Sequence, residues 1–496
     1  MRCPRTSQPR RRYFLKTAAG IVAIFLMAAT CAGQSKRRPQ AAQSQTPVVA
    51  QDLSAYPGLL PEFGQLFAKL QKNVQYPAPR KESRLLPLLP QSTIFFAAIP
   101  NYGDAAHQAL QVFRQELQES AVLRDWWRRG DMATAGSKLE DSLEKFYQLH
   151  QYLGEEIALS GSMEGQEPDF LAFAETRKPG LKKFLGQMIE QYGGESAAGV
   201  RVLDPQGLAL AKEKSQKQQL LVLVRPDFVL ATENLALLRS FSAKLDQHRQ
   251  EFVANPFGQR VAQEYQGGLT ILAAADLQRI LAQSPPTDKQ DPAFQRSGFA
   301  EMKYLIWEHK GEGAEAVSQA ELSFNGPRHG SAAWLGKSRP LPSLDFVSPK
   351  ALAAITLVLA NPAEMFDDIK QLAGPSSDQL AVIAGGEKAL NLSLKDDLLS
   401  LLGGEITAEL DNLNPPRPAW RAILQVKDAN HIQKTLNTLL SAMQVQTQQV
   451  ESEGITYRTV QTPASQPAME IDYAFVDGYL IAGSSREAVA STLQVF

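Results

Sequence analysis

Apolar residues recur along this chain at two spacings, and each spacing predicts one kind of element. In residues 181–192 they lie three or four positions apart, which predicts a helix with one apolar face. In residues 456–461 polar and apolar positions alternate, which predicts a half-buried strand. Such segments follow one another in uneven groups. The pattern therefore predicts an α+β fold of mostly antiparallel sheets, each with helices packed on one face.

One pattern of elements occurs twice. The segment LGEEIAL at 153–159 matches LGGEITA at 402–408. In both copies a strand ending in Pro or Asn-Pro precedes this segment, and a strand, a helix and a hairpin follow it. The hairpins turn at Pro226-Asp227 and at Asp477-Gly478, and Asp-Gly is a strong hairpin signal because Gly accepts a positive φ. We therefore predict two related modules.

The repeat sets the predicted domain boundaries. The first module is expected over residues 61–282 and the second over residues 341–496. Residues 283–340 are predicted to form a linker and a connecting β-hairpin, with strands near 303–307 and 318–324. The second copy has no counterpart of the last strand of the first copy. We therefore expect the second module to be incomplete at its C-terminus.

The N-terminal residues have the pattern of an export signal. A basic segment without acidic residues precedes an uncharged run whose most apolar part, residues 21–27, is shorter than the ~20 residues that cross a bilayer. Paired arginines followed by Phe-Leu-Lys predict a twin-arginine signal over residues 1–33. The alternatives are an ordinary secretory signal and an uncleaved N-terminal anchor helix. The residues that carry the signal are Arg11, Arg12, Phe14, Leu15 and Lys16.

Cys31 is a candidate site of lipid attachment. The segment Ala28-Ala29-Thr30-Cys31 resembles a bacterial lipoprotein box, and a lipid on this cysteine would hold the protein at a membrane surface. The alternative is cleavage just after Ala32 or Gly33, with Cys31 incidental. Residues 34–60 are rich in Gln, Ser, Ala and Pro, so we predict a disordered tether there.

Composition excludes several chemistries. A chain of 496 residues with 44% hydrophobic residues can form two or three domains. Cys3 and Cys31 both lie in the predicted signal, which excludes disulfides, cysteine nucleophiles and cysteine-ligated metals downstream. The signal holds six of the 51 basic residues and none of the 52 acidic ones, which leaves a net charge of −7 on the remainder. A mildly acidic body argues against nucleic-acid binding.

No local motif names an enzyme. The sequence lacks a phosphate loop, a nucleophile elbow and a zinc helix, and no two histidines lie within one helical turn. Ser142 and Lys145 match the Ser-x-x-Lys of penicillin-binding enzymes, but the companion motifs are missing. Glu156 and Glu405 repeat between the copies, and we favour a structural role for them at a turn and strand start. We predict no catalytic residue, no metal ligand and no cofactor.

A pair of adjacent tryptophans is flanked by basic residues. Neighbouring positions on a helix differ by about 100°, so two adjacent tryptophans rarely enter the same core. One interpretation is a surface that contacts a membrane or a partner protein. The other is one core tryptophan and one partly exposed one, with arginines near a helix C-terminus. The residues of the candidate contact surface are Trp126, Trp127, Arg128 and Arg129.

The chain also resembles a group of uncharacterised proteins. Leu89-Pro90-Gln91-Ser92-Thr93 enters an apolar strand, a long helix follows, and a Leu-Gly-x-Glu-Ile box comes later. This combination resembles exported bacterial proteins that carry a domain of unknown function. The resemblance covers most of residues 86–282 and, more loosely, 344–496. It implies a location in the cell envelope and offers no catalytic residues.

Export, duplication and the lack of catalytic motifs favour a non-catalytic envelope protein that serves in binding or assembly. The expected partners are the export machinery, an envelope component, and a membrane surface reached through a lipidated Cys31 or an uncleaved N-terminal segment. One alternative is a periplasmic hydrolase whose site is assembled from distant residues. Another is a carrier of lipid or other apolar ligands in a cavity between sheet and helices.

Overall fold

The structure, a computed structural model, describes two compact units. The described residues are 56, 58–163, 168–192, 199–212, 219–247, 251–283, 291–312, 315–348, 351–373, 378–412, 419–461 and 470–493. The first unit comprises the chain up to Gln283 together with Lys303–Ser323, and the second comprises Ser284–Met302 and Phe324–Phe496. These units are called the first and second modules.

The first module is built on a nine-stranded sheet. Its strands are β1 (Thr93–Pro100), β2 (Leu153–Ser162), β3 (Asp169–Thr176), β4 (Val200–Leu203), β5 (Leu220–Val224), β6 (Phe228–Thr232), β7 (Ile271–Asp276), β8 (Met302–Glu312) and β9 (Glu315–Phe324). They are ordered β4-β5-β6-β3-β2-β1-β7-β8-β9. β4 and β5 pair in parallel, whereas the pairs from β5 to β8 are antiparallel.

Helices cover both faces of this sheet. They are α1 (Leu59–Asn73), α2 (Gly103–Glu119), α3 (Ala121–Arg128), α4 (Gly130–His150), α5 (Leu181–Tyr192), α6 (Pro205–Leu210), α7 (Leu235–Gln247), α8 (Pro256–Gln266) and α9 (Leu277–Gln283). Side chains alternate along β1, so Phe96 and Ala98 join a cluster with α7 and α8, whereas Phe95 and Ile99 pack on a second cluster with α4 and α5. The expectation of helices on one face is wrong for this module, because both faces of β1 are apolar.

The second module is built on a seven-stranded antiparallel sheet. Its strands are β10 (Ala353–Val358), β11 (Leu402–Asn412), β12 (Ala419–Val426), β13 (Gln446–Ser452), β14 (Ile455–Gln461), β15 (Glu470–Val476) and β16 (Tyr479–Gly483). They are ordered β10-β11-β12-β16-β15-β14-β13. Its helices are α10 (Pro292–Arg296), α11 (Pro362–Ala373), α12 (Asp378–Leu390), α13 (Leu394–Asp397), α14 (Ala429–Ala442) and α15 (Arg486–Leu493). Phe346, Ile423 and Ile481 belong to its buried core.

The predicted α+β class with two mostly antiparallel sheets is confirmed. β1 and α5 begin and end where the sequence pattern predicts. The second hairpin turns at Asp477 and Gly478, whose φ angles are 47° and 81°. Two successive positive φ angles are what a two-residue turn between twisted strands requires.

One predicted boundary needs correction. The hairpin of β8 and β9 was expected to connect the two copies, within residues 283–340. Instead β8 pairs with β7: Ile271 lies opposite His309, and Asp276 lies opposite Tyr304. The hairpin therefore extends the first sheet. The reason is that β7 offers a second free edge once it has paired with β1.

The N-terminal predictions lie outside the described residues. Arg11, Arg12, Phe14, Leu15, Lys16 and Cys31 all fall in this part of the chain, as does most of the predicted tether. The export signal and the lipid site therefore stay predictions. In the portion that the structure describes, no helix combines the length and the apolar character needed to span a bilayer.

Candidate functional site

A cleft of about 600 Å³ lies at one end of the first sheet. It forms where β1 and β8 begin and β7 ends, between the first turn of α8 and the helix α9. Clefts of this size are typical of small-molecule sites. The residues that line it are Gln91, Ser92, Asn255, Pro256, Phe257, Asp276, Gln278, Arg279, Ala282 and Tyr304. We call this site the α8–α9 cleft.

Arg279 fixes the wall that precedes β1. Its guanidinium donates to the carbonyl oxygens of Gln91 at 3.2 Å, Thr93 at 3.1 Å and Ser92 at 3.4 Å. These three residues close the Leu-Pro-Gln-Ser-Thr segment that enters β1. Because its donors bind the backbone, the Arg279 cation serves to hold this loop against α9.

Asp276 places a buried carboxyl group in the cleft. It is the last residue of β7, and its Oδ1 accepts a hydrogen bond from Arg279 N at 3.0 Å at the start of α9. Only 4% of the residue is exposed. Burial raises the pKa of Asp276, and the bond from Arg279 N and the charges of Arg279 and Lys303 act in the opposite direction. The carboxyl oxygens can accept hydrogen bonds from a bound molecule.

Tyr304 stands beside Asp276 as its cross-strand partner on β8. Burial, and next the nearby Asp276 carboxylate, raise the pKa of Tyr304, so its hydroxyl stays protonated at neutral pH. Its ring packs on Phe257 with centroids 5.3 Å apart, and the Lys303 ammonium lies 5.0 Å from its centroid. The pair of rings gives the cleft an apolar wall next to its polar groups.

Asn255 contributes an unused donor. It caps α8, with Oδ1 accepting from Gly258 N at 2.8 Å, and Pro256 occupies the first helical position. Its Nδ2 is buried, and within the described residues it has no hydrogen-bond partner. A buried donor without an acceptor costs about 1–3 kcal/mol. An acceptor supplied by a bound molecule would remove that cost.

The lining is made mostly of polar, uncharged and aromatic side chains. Its described residues include one carboxyl group and no histidine, cysteine or lysine, so no pair of nucleophile and base stands out. Across the described residues, no group of three or more His, Cys, Asp and Glu side chains is placed to hold a metal ion. What the cleft offers is a carboxyl group, a phenol, amides and an aromatic wall.

The predicted tryptophan surface lies elsewhere, on α3 and the helices around it. Trp127 is buried and donates from Nε1 to Glu140 at 3.0 Å. Trp126 is partly buried and packs edge-on against Phe63 of α1, with centroids 5.2 Å apart. Its exposed cations are Arg128 and Arg129. The four residues are adjacent, but only part of the surface is open, and a contact role for it stays a prediction.

Glu156 is buried at the Leu-Gly-x-Glu-Ile box. It accepts hydrogen bonds from Ser83 Oγ at 2.6 Å and Tyr265 OH at 2.7 Å, and it lies 3.0 Å from Arg80 Nη1. Burial raises its pKa, while Arg80, Ser83 and Tyr265 act in the opposite direction. The carboxylate joins the segment before β1 to α8.

Its counterpart Glu405 is 1% exposed and accepts from Ser343 N at 2.8 Å, also in a segment that precedes the first strand of its module. Both acids have structural partners, as the sequence favoured. Ser142 is also buried, and its hydroxyl donates to Lys138 O at 2.7 Å, one turn earlier in α4. This bond within the helix gives the hydroxyl of Ser142, the serine of the Ser-x-x-Lys match, a structural partner.

The cleft has no single signature in the sequence because its walls come from four distant segments. Two signals were present. The Leu-Pro-Gln-Ser-Thr segment, singled out as a strand opening, supplies Gln91 and Ser92. Asn255-Pro256 is the helix-start signal of a cap followed by proline, and it supplies the unused donor.

Comparison of the chain with protein-family models, with curated proteins and with solved structures found no match. The resemblance to exported proteins with a domain of unknown function therefore stays a prediction, and the site is interpreted from its own chemistry.

Proposed function

We propose that this is an exported, non-catalytic binding protein of the cell envelope, and that the α8–α9 cleft binds a small neutral polyhydroxy molecule such as a sugar. The observation that carries the proposal is the unpartnered Nδ2 of Asn255 in a cleft that also holds the buried Asp276 carboxyl group. A hydroxyl group can accept from the first and donate to the second.

The charges of the cleft favour a neutral ligand. The guanidinium of Arg279 is bound to three carbonyl oxygens, which leaves little of it for an anion. Burial disfavours the charged form of Asp276, which argues against a site built around a cation. Phe257 and Tyr304 add an apolar wall of the kind that packs against the carbon face of a sugar ring.

The envelope location rests on the N-terminal sequence. Export through the twin-arginine route would use Arg11 and Arg12, and Cys31 would tether the protein to a membrane if it is lipidated. Replacing both arginines by lysine should leave the full-length precursor in the cytoplasm. Cell fractionation checks this, and normal export of the variant would contradict the twin-arginine assignment.

The ligand proposal is tested by calorimetric titration of the chain from residue 34 with glucose, maltose, trehalose and glycerol. We expect saturable binding of at least one of them. Asn255→Asp keeps the helix cap and removes the unused donor, and it should weaken binding at least tenfold. Asn234→Asp is the matched control, because Asn234 caps α7 through Leu237 N and does not line the cleft.

Three results would contradict the proposal. One is the absence of binding by the whole panel. A second is equal binding by the wild-type chain and Asn255→Asp. The third is chemical conversion of a bound sugar, which would favour a hydrolase. Separately, lipid that co-purifies with the protein in native mass spectrometry would favour the carrier alternative.

A further inference from the structure

β10 lies at the end of the seven-stranded order, so one of its edges has no neighbouring strand among the described residues. The corresponding strand of the first module is β1, which pairs with β2 on one side and β7 on the other. The two modules therefore differ at the same place in the same fold.

The repeated glutamates give the residue correspondence. Pro100 pairs with Glu156 in the first module, and Val358 pairs with Glu405 in the second. Counting back along each strand, Phe95–Ala98 corresponds to residues 353–356. Those four residues of β1 are the ones that pair with β7, with Phe95 opposite Ala275 and Ala98 opposite Leu272.

The open stretch of β10 is bounded. Leu359 N donates to Gly404 O of β11, whereas Val358 O accepts from Gly336 N at 2.6 Å on the other side. Backbone groups alternate along a strand, so those of Ala354 and Thr356 face the outer edge. An isolated bridge between Leu335 and Leu359 covers the edge beyond Val358. The opening therefore spans residues 353–357.

Neither charge nor proline protects this edge against strand pairing. Residues 351–360 contain no charge and no proline. Leu352, Ile355 and Leu357 are 63%, 61% and 44% exposed. Exposed aliphatic side chains beside an unpaired backbone edge are an attractive surface for an extended peptide.

We propose that residues 353–357 bind an extended segment of a partner protein as an added antiparallel β-strand. The partner segment is uncharged and is made of small and aliphatic residues. The first module gives the basis for this chemistry, because the strand that fills the equivalent edge there is Ile271-Leu272-Ala273-Ala274-Ala275. The proposal concerns a surface distinct from the α8–α9 cleft and does not depend on it.

The register of self-pairing that is centred on Ile355 is blocked. A two-fold pairing centred on Ile355 would place Leu352 of a second copy opposite Val358. The outward carbonyl of Val358 already accepts from Gly336, and the chain around Gly336 occupies that position. A strand from another protein can end before this point.

The test uses a fluorescent peptide with the sequence of residues 268–275, GLTILAAA, and the chain from residue 34. We expect saturable anisotropy binding, together with slower hydrogen exchange in the peptide fragment that covers residues 353–357. Ile355→Lys should weaken binding at least tenfold. Ala354→Pro, which removes an outward N–H that β11 does not use, should do the same.

Val382→Lys is the matched control, because Val382 is 75% exposed in the same module and lies on α12. It should bind the peptide as the wild-type chain does, and circular dichroism should show that all variants are folded. Equal binding by Ile355→Lys and wild type would overturn the proposal. Concentration-dependent dimerisation that Ile355→Lys abolishes would overturn it in favour of self-pairing. Asn255→Asp should leave peptide binding unchanged, which separates this test from that of the cleft.

Discussion

The two modules share an order of elements but stabilise it differently at one equivalent pair of positions. In the first module Ser160 of β2 faces Leu171 of β3, and Leu171 belongs to the hydrophobic core. In the second module the corresponding pair is Glu409 of β11 and Arg421 of β12. Both Leu171 and Arg421 are 1% exposed. One fold therefore accepts an aliphatic side chain or a buried cation at the same place, provided that the cation finds partners.

Arg421 has many such partners. Its guanidinium lies 2.7 Å from Glu409 and 2.6 Å from Asp411, and it also donates to Ala488 O and Thr492 Oγ1 of α15. A buried charge is tolerated only when its hydrogen bonds are satisfied. At this position the second module contacts its last helix through polar groups, whereas Leu171 packs in an apolar core; Val489 of α15 still joins the apolar core of the second module.

The largest expected effect comes from breaking the buried ion pair. Arg421→Leu leaves Glu409 buried without its cation and should lower the stability of the second module by about 3–5 kcal/mol. Hydrogen exchange of β11 and β12 measures this loss. Adding Glu409→Ser reproduces the Ser-Leu pair of the first module and should recover part of the stability. A loss below about 1 kcal/mol for Arg421→Leu alone would contradict this account.

The next effect separates the two repeated glutamates. Glu156→Gln removes an ion-pair partner of Arg80 as well as a charged acceptor for Ser83 and Tyr265, and we expect a loss of about 2–3 kcal/mol. Glu405→Gln weakens a bond from Ser343 N and should cost about 1 kcal/mol. Denaturant unfolding compares the two variants. The reverse order of the losses would contradict the structural roles given to these residues.

The next effect is a pH dependence at Asp276. This residue ends β7, a strand with no counterpart among the described strands of the second module. Burial raises the pKa of Asp276 above its ordinary 3.8, so the folded state holds this proton more tightly than the unfolded state does. Stability from this group is present at low pH and is lost as pH rises from about 4 through the raised pKa, by about 1.4 kcal/mol per pKa unit. Asp276→Asn should therefore be more stable than wild type at pH 7.

The advantage of Asp276→Asn should shrink as pH falls to about 4 and disappear near about pH 3, where most of the carboxyl group is neutral in both states. Thermal unfolding of both proteins between pH 3 and 7 measures the difference, and taking the difference cancels contributions from other groups such as Glu156. An advantage that is independent of pH would show that ionisation of Asp276 is not its cause.

The smallest effect compares the two hairpins. Gly478 has a φ of 81°, and a Cβ there would make only an ordinary contact with Val426 O at 3.9 Å, so Gly478→Ala should cost about 1 kcal/mol from backbone strain. Asp227 in the other hairpin is bound to Arg225 at 2.9 Å near the surface, and Asp227→Ala should cost less. Thermal shifts of the two variants test this order. Equal losses would mean that turn geometry does not distinguish the hairpins.

Local patterns in the sequence predicted elements well and their assembly poorly. β1, α5 and the turn at Asp477-Gly478 follow from spacing and turn chemistry, which are properties of neighbouring residues. The pairing of β7 with β8 depends on which edge is free in three dimensions, and hydrophobic periodicity carries no such information.

The candidate site was predictable only in fragments. The buried ion pair of the second module was not predictable either, because arginine ordinarily prefers the surface and the partners of Arg421 come from β11 and α15. The α8–α9 cleft joins Gln91, Asn255, Asp276 and Tyr304, which are far apart in sequence. Only the cap of α8 had a local signal, and that signal marks a helix start rather than a ligand site.

The bridge between Leu335 and Leu359 limits how many main-chain hydrogen bonds a strand added to β10 could form. Beyond this point the sheet edge is closed, so an incoming chain gains only a few main-chain hydrogen bonds, each worth about 1 kcal/mol. Such contacts dissociate readily unless the side chains add to them. A partner strand bound at residues 353–357 as proposed would therefore exchange rapidly rather than stay in a fixed complex.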